Sequence, residues 1–122
     1  MLFRSQRATS DNEWSVRRVA IQELVRGWKE DPETLPMLKQ RATSDNDGSV
    51  RRAAIQQLVR GWKKDPETLP MLKQRATSDN DGDVRQAAIQ ELARGWKDDP
   101  DLQSFLRGSL LRGDRVYGEG VS

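Results

Sequence analysis

The sequence predicts an all-α fold, an α-solenoid of antiparallel helix pairs with about three units, a clipped first helix and a terminal helix. Three observations carry this. A block of 34 residues recurs, since Arg7-Ala-Thr-Ser-Asp-Asn reappears at Arg41 and again at Arg75. Each block holds two stretches with apolar residues at helical spacing, separated by breakers, and none shows the period-two alternation of a half-buried strand. The 122 residues are 34% apolar and 33% charged, against roughly 25% charged in an ordinary soluble domain. So thin a core suits stacked repeats that cover one another better than a globule deep enough for an enclosed pocket.

The units are 7–40, 41–74 and 75–108. The first two differ at five positions and the last two at twelve, seven of which fall in the final eight residues. Leu35 aligns with Met1 and Ala42 with Ala8, so the chain opens partway through a unit. The array spans 1–111, and 112–122 reads as a polar C-terminal tail.

Within a unit the first helix starts near Asp31-Pro32-Glu33-Thr34, where a capping residue and first-turn prolines suit a helix start. It runs to about Thr43 with Leu35, Leu38 and Ala42 on one face. Ser44-Asp45-Asn46-Asp47-Gly48 is a turn. The second helix runs from about Gly48 to Trp62, with Asp47 as N-cap and with Gly61 and Asp65-Pro66 ending it. The terminal helix keeps Leu102, Phe105, Leu106 and Leu110 at helical spacing but has Gln103 where Leu69 stands, as a polar-faced cap would. Gly113 stops it, and Arg112-Gly113-Asp114 is a chance occurrence of an integrin-binding tripeptide.

On the wheel of the second helix, Ala20, Leu24, Trp28 and Ile21 lie between about 40° and 140° from Val16. Arg17 falls near 100°, in the middle of this apolar face, as do Arg51 and Arg85. A buried guanidinium needs a partner. The acid repeated at fixed offset before each helix is Asp11, Asp45 or Asp79. Each arginine is therefore expected to pair with a turn aspartate, in its own unit or an adjacent one, as a structural lock.

Composition excludes much chemistry. There is no cysteine and no histidine, hence no disulfide, no thiolate or imidazole ligand and no Ser-His or Cys-His nucleophile pair. Carboxylates sit mainly in turns and serines lack a general base, so no enzyme, cofactor or metal site is expected. The longest apolar runs are too short to span a membrane and the first residues lack a secretory apolar stretch, which reads as a cytoplasmic protein.

Ser44-Asp45-Asn46-Asp47-Gly48-Ser49-Val50-Arg51-Arg52-Ala53-Ala54 resembles the Asp-x-x-x-x-Val-Arg-x-x-Ala signature of bacterial HEAT-like repeats, and Val16-Arg17 and Val84-Arg85 repeat it. The resemblance covers about residues 1–111. More narrowly, Ala93 to Pro100 is similar to repeats trailing NACHT-type signalling ATPases of bacteria, where such repeats serve as a sensor or docking arm. No phosphate-binding Gly-x-x-x-x-Gly-Lys segment is present, so an ATPase would lie on another chain or be missing. Tetratricopeptide repeats share the period. They would need a helix running through Asp45-Asn46-Asp47-Gly48, with Asp45 in an aromatic position, and those residues are a turn.

The resemblance implies a HEAT-like superhelix whose second helices line a concave binding side. Their outer stripe holds Arg18 and Arg52; Gln22, Gln56 and Gln90; Arg26, Arg60 and Arg94; and Lys29, Lys63 and Lys97. Acids gather at the rims. The stripe reads as a solvated face, as a docking surface for a protein or peptide with an acidic surface, or as a nucleic-acid backbone site. Acidic rims and the lack of an exposed aromatic row argue against nucleic acid, and neither a membrane nor a small molecule is indicated. A bilin-attaching, phycobilin lyase-like HEAT protein is the family's enzymatic alternative, although no residue points to a tetrapyrrole. The expectation is a non-catalytic interaction module or scaffold using Arg18, Gln22, Arg26, Arg52, Gln56, Arg60, Gln90 and Arg94. Trp28, Trp62 and Trp96 read as packing residues. Trp14, standing where Gly48 and Gly82 stand, reads as partly exposed.

Overall fold

Six α-helices make up the described part of the chain: α1 (Trp14–Trp28), α2 (Thr34–Ser44), α3 (Gly48–Trp62), α4 (Thr68–Ser78), α5 (Gly82–Gly95) and α6 (Pro100–Leu111). The computed structural model describes residues 13–111, with side chains described as far as residue 108, and the described residues contain no strand. The second helices of the three repeats are α1, α3 and α5. Asp11, the segment 112–122 with its Arg112-Gly113-Asp114, and the side chain of Leu110 lie outside the described residues.

Turn chemistry explains the helix starts. Asp47 Oδ1 accepts the Ser49 N–H at 2.8 Å before α3, and the Asp81 side chain accepts from Asp83 and Val84 before α5. These satisfy backbone donors that a helix N-terminus leaves without partners. Glu13, ahead of α1, makes no such bond. The first helices begin later than the capping pattern suggested, at Thr34 and Thr68. Asp31 and Asp65 instead shape the preceding turn, accepting the Glu33 and Glu67 N–H groups at 2.8 and 2.9 Å. Pro36 and Pro70 fall in the first helical turn, where a missing N–H costs nothing.

By their internal contacts the residues divide into two compact units, Met1–Trp62 and Lys63–Ser122. This boundary differs from the repeat frame because a repeat counted from Arg7 begins in the last turn of a first helix, whereas the unit ends with a second helix. In the first unit α3 packs on α2 and on α1, and α1 also touches α2. Ile21 and Leu24 from α1, Leu38 and Ala42 from α2, and Val50, Ala54, Ile55 and Leu58 from α3 are buried. In the second unit α5 packs on α4 and on α6, burying Leu72, Ala76, Val84, Ala88, Ile89, Leu92 and Leu102. Each fully buried aliphatic side chain is worth about 1.5–3 kcal/mol, so these short helices are held by packing rather than by propensity.

One position sets α1 apart. Val19 is 49% exposed, whereas Ala53 and Ala87, its counterparts, are 4% and 6% exposed. Among the described residues α1 is the first helix, and the face that carries Val19 is open.

Candidate interaction surface

Arg17 is buried, as its wheel position requires, and it reaches the next repeat. Its Nε donates to Asp45 Oδ2 at 2.9 Å and its Nη2 to Asp45 Oδ1 at 3.0 Å, a two-point fork that fixes geometry as well as charge. Nη2 also donates to Asn46 Oδ1 at 3.2 Å. Asp45 is saturated further by Arg41 Nη1 at 2.9 Å and by the Asp47 N–H at 2.9 Å. Arg51 donates from Nη1 to the main-chain oxygen of Asp45 at 2.7 Å. In the second compact unit Arg85 does the same to the main-chain oxygen of Asp79 at 2.6 Å. The Asp79 carboxylate accepts from Arg75 Nη1 at 3.1 Å and from the Asp81 N–H at 2.9 Å. Arg41, Arg75 and Asn46 were not singled out in the sequence. For Arg41 the signal was there, four residues before Asp45 on one helix face.

Burial by itself would raise the Asp45 carboxyl. The Arg17 hydrogen bonds, the Asp47 N–H and the charges of Arg17 and Arg41 outweigh it and hold the group below its ordinary value. A carboxylate accepting several charge-assisted bonds stays ionised for this reason. Both Asp45 carboxylate oxygens are thus taken up within the protein, while the Nε of Arg41 is buried without a hydrogen-bond partner among the described residues.

The outer row is different. Arg26, Arg52, Arg60 and Arg94 are exposed, as is Gln22, while Gln56 and Gln90 are half-buried. Arg26 lies 3.3 Å from Glu23 and Arg94 lies 3.4 Å from Glu91, each pair three residues apart on its helix. Arg18 departs from the expected free position. It is half-buried, its guanidinium carbon sits 5.4 Å from the centre of the Trp14 ring, and its Nε is buried without a hydrogen-bond partner among the described residues. Trp14 is 45% exposed. It serves as the aromatic shelf for Arg18 one turn away.

Trp28, Trp62 and Trp96 are half-buried, and two of them carry a lysine. Lys29 Nζ lies 5.4 Å from the Trp62 ring centre and Lys63 Nζ 5.3 Å from that of Trp96. Such cation–π contacts favour a cation over the ring face. Gly61 stands next to the end of α3, which closes at Trp62. A β-carbon placed there would stand 3.2 Å from Lys29 Cε, while at Gly27 nothing lies within 4 Å. Gly61 thus gives the Lys29 stem its crossing. An open groove in the second unit is lined by Lys63, Arg94, Trp96, Lys97, Asp98 and Asp99. Among the described residues no group of three or more acidic side chains is placed to hold a metal ion, and no helix is long and apolar enough to cross a membrane.

A family model of HEAT repeats matches residues 2–93. No curated protein and no solved structure matches the chain.

Proposed function

The chain belongs to the HEAT-repeat family, and from that premise we propose a non-catalytic interaction module that takes a protein or peptide with an acidic surface on the outer face of its second helices. HEAT repeats generally mediate protein–protein interaction as scaffolds, which sets the class. The observation that carries the surface is the set of exposed arginines at matching positions of α1, α3 and α5, with Arg26, Arg60 and Arg94 in one register and Arg52 a further exposed charge. Gln22, Gln56 and Gln90 stand four residues before Arg26, Arg60 and Arg94 on the same helices, and Arg18 four residues before Gln22 on α1.

Exposed charges of one sign steer an oppositely charged partner and fix its register. Removing them leaves the core intact, which is what a surface evolved for contact rather than folding requires. Arg17 and Arg51 with Asp45, and Arg85 with Asp79, serve as the structural lock, with Asp11 the equivalent acid of the first repeat by sequence position. The larger setting is a sensor or docking arm of a cytoplasmic bacterial signalling system, supported by the similarity of Ala93 to Pro100 to repeats trailing NACHT-type ATPases.

The test is the triple variant Arg26→Glu, Arg60→Glu, Arg94→Glu, with capture on an immobilised oligoglutamate peptide and helicity read by circular dichroism. Capture should vanish at unchanged helicity. Undiminished capture refutes the surface. Tighter binding to single-stranded DNA than to the peptide, collapsing steeply with salt, would instead assign the arginines to a phosphate backbone.

A further inference from the structure

Three near-copies in one chain serve as controls for one another. Repeat 7–40 carries six Lys+Arg and six Asp+Glu, repeat 41–74 seven and four, and repeat 75–108 five and seven, giving net charges of 0, +3 and −2. The rise from the first to the second comes from two positions: Gln57 stands where the first repeat has Glu23, and Lys64 where it has Glu30. The third repeat restores acids at both, with Glu91 and Asp98, and has Gln86 where the second has Arg52.

The structure turns the first of these differences into a contact. Glu23 engages Arg26 at 3.3 Å and Glu91 engages Arg94 at 3.4 Å. Gln57 occupies that place before Arg60, whose exposed guanidinium has no carboxylate within ion-pair distance among the described residues. Arg52 is also exposed on the same helix, eight residues earlier, or about 12 Å along an α-helix. Half-buried Gln56 lies between them. Among the described cations of the first compact unit, Arg18 rests on Trp14, Lys29 on Trp62 and Arg41 pairs with Asp45.

We infer that capture is concentrated on α3, where Arg52 and Arg60 form a two-point anchor for an acidic peptide segment with carboxylates about 12 Å apart, a spacing four residues give in an extended chain. Arg26 and Arg94 contribute less than Arg60. An incoming carboxylate there meets the negative charge of Glu23 or Glu91 and must displace an existing pair. This rests on the docking function proposed above and narrows it to one helix.

Fluorescence anisotropy with a labelled oligoglutamate peptide at low ionic strength tests it, on the full chain. Single reversals Arg52→Glu and Arg60→Glu should each weaken binding on the order of tenfold, as for close charge pairs. Arg26→Glu and Arg94→Glu, on the flanking parts of the same surface, should each weaken it several-fold less than Arg60→Glu does. Two conservative variants read the same claim without a charge reversal. Gln57→Glu supplies Arg60 with an internal acid and should weaken binding, whereas Glu23→Gln frees Arg26 and should strengthen it. Equal losses at Arg26, Arg60 and Arg94 overturn the α3 anchor and leave the docking function standing. A wild-type chain that does not bind the peptide overturns both. Self-association that is abolished by Arg60→Glu would assign the anchor to a second copy and overturn the peptide partner.

Discussion

Arg17 and Arg26 sit on one helix, nine residues apart, and lead different lives. Arg17 is 6% exposed, and its fork is answered on both oxygens of Asp45. Arg26 has 76% of its side chain in solvent and a single loose contact with Glu23. The difference teaches how a repeat protein can use arginine for opposite ends. A guanidinium at 100° on the wheel is taken out of water and survives only where every donor has a partner. One at 280° keeps its hydration, and its charge is open to a partner where no carboxylate of its own helix stands beside it, as at Arg60.

The largest effect that would break this contrast is expected at the buried end. Asp45→Ala removes the acceptor of Arg17, Arg41 and the Asp47 N–H together, leaving buried cations uncompensated, and should cost about 3–5 kcal/mol. Arg60→Ala should cost less than about 0.5 kcal/mol. Urea denaturation at neutral pH measures both. A loss below about 1 kcal/mol at Asp45 would put the two regions in one class.

Acid sharpens the same comparison. Asp45 is held below its ordinary value in the folded protein, so the stability it adds is fully present above the unfolded carboxyl value of about 3.9. That stability is lost as pH falls through the lower, folded value. The urea midpoint of the wild type should therefore fall on acidification below about pH 4 more than that of Asp45→Asn. Parallel acid profiles would remove the carboxylate from the account.

How far the sequence disclosed this follows from which forces are local. The bounds of α3 were readable because Asp47 caps its start and an apolar stripe fills its length. The burial of Arg17 was readable from angle alone. Its choice of Asp45 was not, since that depends on how far α1 slides along α3, a translation no wheel contains. Arg18 belongs to the outer stripe by sequence and is half-buried instead, with Trp14 one turn before it. The four-residue spacing of Trp14 and Arg18 carries that contact. The exposure of Val19 was hidden for another reason. Its angle matches that of Ala53 and Ala87, which are buried, so a helical wheel does not separate them.

The smallest effect concerns two glycines that the sequence made look alike. Gly27→Ala meets open space and should stabilise α1 by up to about 0.5–1 kcal/mol through helix propensity. Gly61→Ala must push Lys29 aside by a few tenths of an ångström, so it should gain less. Thermal melts of the two variants side by side read this directly, and a larger gain at Gly61 would dismiss the lysine crossing.

The division of labour between the two kinds of arginine is tested most directly by measuring stability and oligoglutamate affinity on Arg17→Leu and Arg60→Leu together. Arg17→Leu should lower the urea midpoint and, wherever the protein is folded, leave the affinity close to wild type. Arg60→Leu should weaken the affinity at an unmoved midpoint. Should both readouts shift in both variants, or trade places, inner and outer arginines would not be separate devices, and the surface proposed for the partner would have to be abandoned.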